Sequence, residues 1–132
     1  MLETISIKNI ALIDELSLEF NPRLNVLTGE TGAGKSILIG ALSFLLGGKV
    51  SQDIIRTGSS EAAVSGTFYL APNHTQAAAW LEQRSIEPEN GRILIRRTLR
   101  ETGRSSIWIQ DTQVSRAELE EFTSFLVDIH GQ

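Results

Sequence analysis

The stretch Gly29-Glu30-Thr31-Gly32-Ala33-Gly34-Lys35-Ser36 constrains this chain more than any other. It lies between a short apolar run at 24–28 and a segment whose apolar residues fall at Ile37, Leu38, Ala41, Leu42, Leu45 and Leu46. The first run predicts a strand. The second predicts a helix with a wide apolar face, closed by Gly47-Gly48. Glycines between a strand and a helix let the backbone take positive φ and turn successive N–H groups onto one point. The helix that follows adds the positive end of its dipole at the same place.

Gly29, Gly34, Lys35 and Ser36 match G-x-x-x-x-G-K-[ST], the spacing of a phosphate-binding loop. In such a loop the amides of Gly29, Glu30, Thr31, Gly32, Ala33 and Gly34 cradle the phosphates of ATP. Lys35 reaches the outer phosphates, and the Ser36 hydroxyl takes one position on Mg²⁺. The plainer reading is a glycine-rich turn before a helix. With glycine near about 7% of residues on average, chance rarely produces the full spacing, and here the strand and helix that the motif requires flank it. The loop alone does not choose among GTPases, kinases and transport-type ATPases. Gly32 gives the form G-x-x-G-x-G-K-S, common in the ABC ATPase superfamily, and no Asn-Lys-x-Asp guanine-reading sequence occurs.

Upstream, 6–8 and 16–20 alternate apolar with polar residues and read as paired antiparallel strands. Downstream, 51–60 is a polar loop, 62–70 a strand and 75–84 a short helix. Strands at 92–99 and 105–110 flank the turn Glu101-Thr102-Gly103-Arg104 and form a hairpin. Ser115-Arg116-Ala117-Glu118 is a capping box opening a last helix with Leu119, Phe122 and Leu126 on one face.

At 132 residues the chain is about one domain long, and 41% hydrophobic against 21% charged residues describes soluble globular material. The start, Met1-Leu2-Glu3-Thr4, does not read as a signal peptide, and the apolar run at 37–46 is too short to cross a bilayer. There are no cysteines, which excludes disulfides and thiolate metal sites. The net charge of −4 argues against nucleic-acid binding by the whole surface. The charge is uneven, however: Arg92, Arg96, Arg97, Arg100 and Arg104 meet only Glu101 in their segment. Solvated arginines on a hairpin are the default reading, and a phosphate-contacting patch for DNA is the sharper one. Trp80 and Trp108 read as core or half-core aromatics.

The first 49 residues, the stretch DIIRTGSSEAAVSGTF and the terminal LVDIHGQ together resemble the N-terminus of the RecN family, SMC-like bacterial DNA-repair ATPases of the ABC superfamily. That resemblance implies an α/β P-loop NTPase fold, with residues 1–132 as the N-terminal lobe of an ATPase head and a mixed and antiparallel sheet around the strand–loop–helix unit. It further implies that a coiled coil and a C-terminal lobe of the same protein follow, the latter supplying the Walker B acids and the signature motif. Gln132 falls at the Q-loop glutamine, which contacts Mg²⁺ and the attacking water. Arg56 matches the arginine loop near the phosphates. The family's activity is Mg-dependent ATP hydrolysis in double-strand break repair and recombination. ATP joins a second head across the interface, DNA ends or single strands are the partner, and the setting is the cytoplasmic nucleoid with no membrane.

The residues agree that the chain holds a nucleotide without the groups to hydrolyse it. The candidate run for a Walker B acid, Phe125-Leu126-Val127-Asp128, lacks a second acid and closes a capped helix, and no Leu-Ser-Gly-Gly occurs. Arg56 without the resemblance is a solvated loop arginine, and His130 beside Gly131 reads as a loop residue. Two other functions stay open: the ATP-binding lobe of a transport subunit, and a nucleotide-dependent interaction module.

Overall fold

Alternating residues along the described strands build a six-stranded antiparallel sheet with one apolar face. The computed structural model describes residues 2–20, 32–49 and 51–126, with side chains in the first helix from residue 36. The predicted strand at 24–28, the motif residues Gly29, Glu30 and Thr31, and Asp128, His130 and Gln132 lie outside the described residues, as do the side chains of Ala33 and Lys35. The strands are β1 (Leu2–Ile10), β2 (Ile13–Glu19), β3 (Glu61–Tyr69), β4 (Arg92–Arg100), β5 (Ser105–Ile109) and β6 (Thr112–Val114), in the order β2-β1-β3-β4-β5-β6.

The period of two sends Ile5, Ile7, Val64, Phe68, Ile93, Ile95, Ile107 and Ile109 to one buried face. Among the described residues, three α-helices supply the rest of the core. α1 (Gly32–Leu45) lies against β1, β3 and β4, and α2 (Thr75–Gln83) packs on α3 (Arg116–Leu126). Phe44, Leu45, Leu81, Leu119 and Phe122 are fully buried between helices and sheet. Trp80 is buried as expected, with its ring 4.9 Å from that of Phe122 and its Nε1 donating to Glu121.

Gly66 explains how closely α1 approaches the sheet. A Cβ at that position would stand 2.6 Å from Leu45 Cδ2. The lower end of α1 closes as the two glycines predict. Gly47 takes φ +109°, its N–H donates to Phe44 O, and the Gly48 N–H donates to Ser43 O at 2.8 Å. That is the Schellman pattern, which needs a left-handed residue at this point.

The expected hairpin of β4 and β5 forms, pairing Ile95 with Ile109 and Arg97 with Ile107. The third strand of this ladder, β6, has no counterpart in the sequence reading. Three residues are too few to show a period, and its turn depends on Gln110 at φ +54°. The polar loop at 51–60 is tied down by a 3₁₀ turn at Gln52–Ile54 and a bridge between Ile10 and Ile55. The capping box of α3 is complete: Ser115 Oγ accepts from the Glu118 N–H, and Glu118 Oε1 accepts from the Ser115 N–H. Among the described residues no helix is long and apolar enough to cross a membrane.

Candidate nucleotide site

α1 begins at Gly32, so the helix starts inside the glycine-rich motif. Its first turn carries the residues whose N–H groups have no partner within the helix, and its dipole is positive there. Ser36, one turn further on, is exposed. Free N–H groups, a positive helix end and an exposed hydroxyl are the donor set that a phosphate and a hard cation require. These residues therefore fit Mg·ATP.

The other end of α1 is held by side chains to which the sequence reading gave no such role. Arg97 Nη1 donates to Phe44 O and to Gly48 O, each at 2.8 Å, and its Nε donates to Ser105 Oγ at 3.1 Å. Its guanidinium lies 4.2 Å from the centre of the Phe44 ring. Arg116 Nη1 donates to Gly47 O at 3.2 Å, and Thr123 Oγ1 donates to Leu46 O at 3.0 Å. Two cations and a hydroxyl thus meet the negative end of the same helix whose positive end lies in the motif.

This corrects the reading of the arginine cluster as solvated. Arg97 is 4% exposed. Burial, with Arg116 nearby, pushes its guanidinium below its ordinary value, against a smaller opposing pull from Glu120. The signal was present in the alternation, because Arg97 shares the inward set with Ile93, Ile95 and Leu99. The remaining arginines do reach solvent. Arg92 pairs with Glu3 at 2.7 Å, which holds its pKa up, and Arg100 pairs with Glu61 at 3.4 Å. Arg96 stands exposed, 5.1 Å from the ring centre of Trp108, which is half-buried as expected.

Arg96 and Trp108 belong to one row across the whole sheet. Ser17, Ser6, Ser65, Arg96, Trp108 and Gln113 are register partners in turn from β2 to β6. This row, on the face opposite the helices, sets three serine hydroxyls beside one guanidinium and one indole. Arg56 is half-buried elsewhere, and its Nη1 donates to Leu12 O at the turn between β1 and β2. The turn in its own right is bolted to that loop by Ala11 N–H to Ile54 O and Arg56 N–H to Asn9 O.

The AAA domain family model matches residues 4–131. The DNA repair protein RecN of Treponema pallidum is 53% identical over all 132 residues, which span 23% of that relative. Among solved structures, one from work on ATP-driven dimerization and DNA-stimulated activation of SMC ATPases superposes with a TM-score of 0.74. It is 22% identical and covers 98% of this chain and 82% of its own. The recombination mediator RecF, solved with an ATP analogue, gives a TM-score of 0.69 at 18% identity over 90% of this chain and 29% of its own. The expected α/β head-lobe fold and the likeness to the RecN family hold. With a family model matched over nearly its whole length, this chain belongs to the AAA domain family.

Proposed function

We propose that the chain is the ATP-binding N-terminal lobe of a DNA-repair ATPase head. The observation that carries this reading is the start of α1 at Gly32, inside G-x-x-x-x-G-K-S. In this reading the amides of 29–34 and Lys35 hold the phosphates, and Ser36 holds Mg²⁺. Arg56 assists from its place beside the β1–β2 turn, and Gln132 contacts the metal and the attacking water. Bound Mg·ATP supplies the reactive phosphoanhydride and the charge that draws a second head onto it. This chain's own residues bind and orient that group.

The chain spans about a quarter of the relatives it matches. Hydrolysis, joining of two heads and DNA-end binding therefore belong, as proposals, to the longer protein that carries a C-terminal lobe. The RecN relative is a DNA repair protein, and the SMC neighbour is described by ATP-driven dimerization and DNA-stimulated activation. The first supports a role in DNA repair and the second the joining of heads by ATP; a nucleotide acting as a reversible adhesive at double-strand breaks is the proposal built on them.

Thermal melting with and without millimolar Mg·ATP tests the binding step. Ligand at about 100 times Kd is expected to stabilise the fold by about 2.7 kcal/mol. Lys35→Ala is expected to remove that shift. A melting curve that ignores Mg·ATP overturns the reading.

A further inference from the structure

We propose that Arg97 is a positioning residue for the phosphate loop: by gripping the last turn of α1 it sets where the first turn of that helix, residues 32–36, meets the nucleotide. The proposal rests on the nucleotide reading above. A 14-residue helix is a stiff rod of about 21 Å. A slide or tilt at one end therefore appears at the other. Apolar contacts with β1, β3 and β4 hold α1 against the sheet, and such contacts are non-directional. The Arg97 fork is directional, and its two acceptors, Phe44 O and Gly48 O, lie on either side of the closing turn. Ser105 fixes the third donor of the fork to β5. The β4–β5 hairpin is thus one reference frame for α1, beside the bonds that Arg116 and Thr123 of α3 make to the same end.

The chemistry of the side chain supports a positioning role over plain packing. A buried guanidinium is costly unless fully hydrogen-bonded, and leucine or methionine would fill the same space without that cost. Among the described residues Arg97 has no carboxylate at ion-pair distance; its partners are two carbonyls at a helix end and the Ser105 hydroxyl. Those partners are directional, and a displacement of about 1 Å at a reacting group is enough to cost about 10²-fold.

The test measures the Kd of the 132-residue chain for a fluorescent methylanthraniloyl-ATP with Mg²⁺, well below the melting temperature of every variant. Arg97→Met is expected to weaken binding about tenfold or more. Arg97→Lys, which keeps the charge but loses the fork, is expected to fall between it and wild type. If Arg97→Met does not fold, Arg97→Lys alone carries the test. Ile95→Val, which loosens the same strand without touching α1's carbonyls, is expected to lower stability and leave Kd unchanged. Wild-type binding with an unaltered Kd in Arg97→Lys and in any folded Arg97→Met overturns the proposal alone, as does an equal loss in Ile95→Val. Absence of binding by wild type overturns the nucleotide reading and this proposal with it.

Discussion

Arg96 and Arg97 are neighbours on β4, yet Arg96 stands in solvent over Trp108 while Arg97 is buried against Phe44 and the end of α1. The pleat sends them to opposite faces. One strand thereby carries a cation that can meet a ligand on the open sheet and a cation that holds the helix leading from the phosphate loop.

If the open face meets DNA, binding by this chain falls steeply with salt, since each phosphate contact releases counterions. Arg96→Ala with Arg100→Ala is expected to flatten the slope of log K against log salt by about one unit per arginine. Binding titrations from 50 to 200 mM salt, about the range over which the effect is large, provide the check. An unchanged slope in the double variant returns these arginines to a solvated surface role.

Gly66 is the point of closest approach between sheet and helix. Its replacement by alanine would drive a Cβ into Leu45, which is fully buried and has nowhere to go. Overpacking of this kind costs about 1–3 kcal/mol. Urea unfolding of Gly66→Ala should show a lower midpoint with the same slope, and a wild-type midpoint would mean that α1 can ride outward freely.

Acid sensitivity should locate in the α3 cap. The Ser115 backbone N–H, with help from the Ser115 hydroxyl and Arg84, holds the Glu118 carboxyl below the usual carboxylate range. A group depressed in the folded state contributes stability above its unfolded pKa, about 4.3 for Glu, and loses it as pH falls through the folded value. Melting temperatures followed from pH 7 downward should therefore converge for wild type and Glu118→Gln at the acid end and separate at neutral pH. Ser115→Ala, which removes the other half of the cap, is expected to cost about 1 kcal/mol at neutral pH. Parallel curves for Glu118→Gln and wild type would show that the carboxylate does not matter.

The chain alone is expected to show no ATPase activity above background, with or without DNA. Phosphoryl transfer depends on positioning and electrostatics; the sequence holds no Leu-Ser-Gly-Gly signature, and the adjacent acids Asp14-Glu15, which follow an apolar run, are exposed at the start of the edge strand β2. Adding a separately expressed C-terminal lobe of the parent protein should restore turnover, and Lys35→Ala should abolish the gain. Hydrolysis by the chain alone that disappears in Lys35→Ala would mean that Asp128 or another acid completes a site within these residues.

Local order was readable from the residues themselves, because each signal acts over a few positions. Glycine and lysine spacing marked the motif, a period of two marked β1 and β2, and β3 and the β4–β5 hairpin read as strands between turn residues. Ser115 and Glu118 marked the start of α3, and Gly47-Gly48 the end of α1. Tertiary structure decided what no local signal carries. β6 is three residues long, too short to declare itself, and forms because β5 offers it a partner. Gly66 is a weak strand residue until α1 crosses above it. Arg97 looked like one cation among five, and only the packing of α1 over β4 brought Phe44 O and Gly48 O within reach of its fork. The acceptors that make a buried arginine tolerable lie 53 and 49 residues away in the chain. A hydrogen bond across that separation exists only after the sheet and the helix have met.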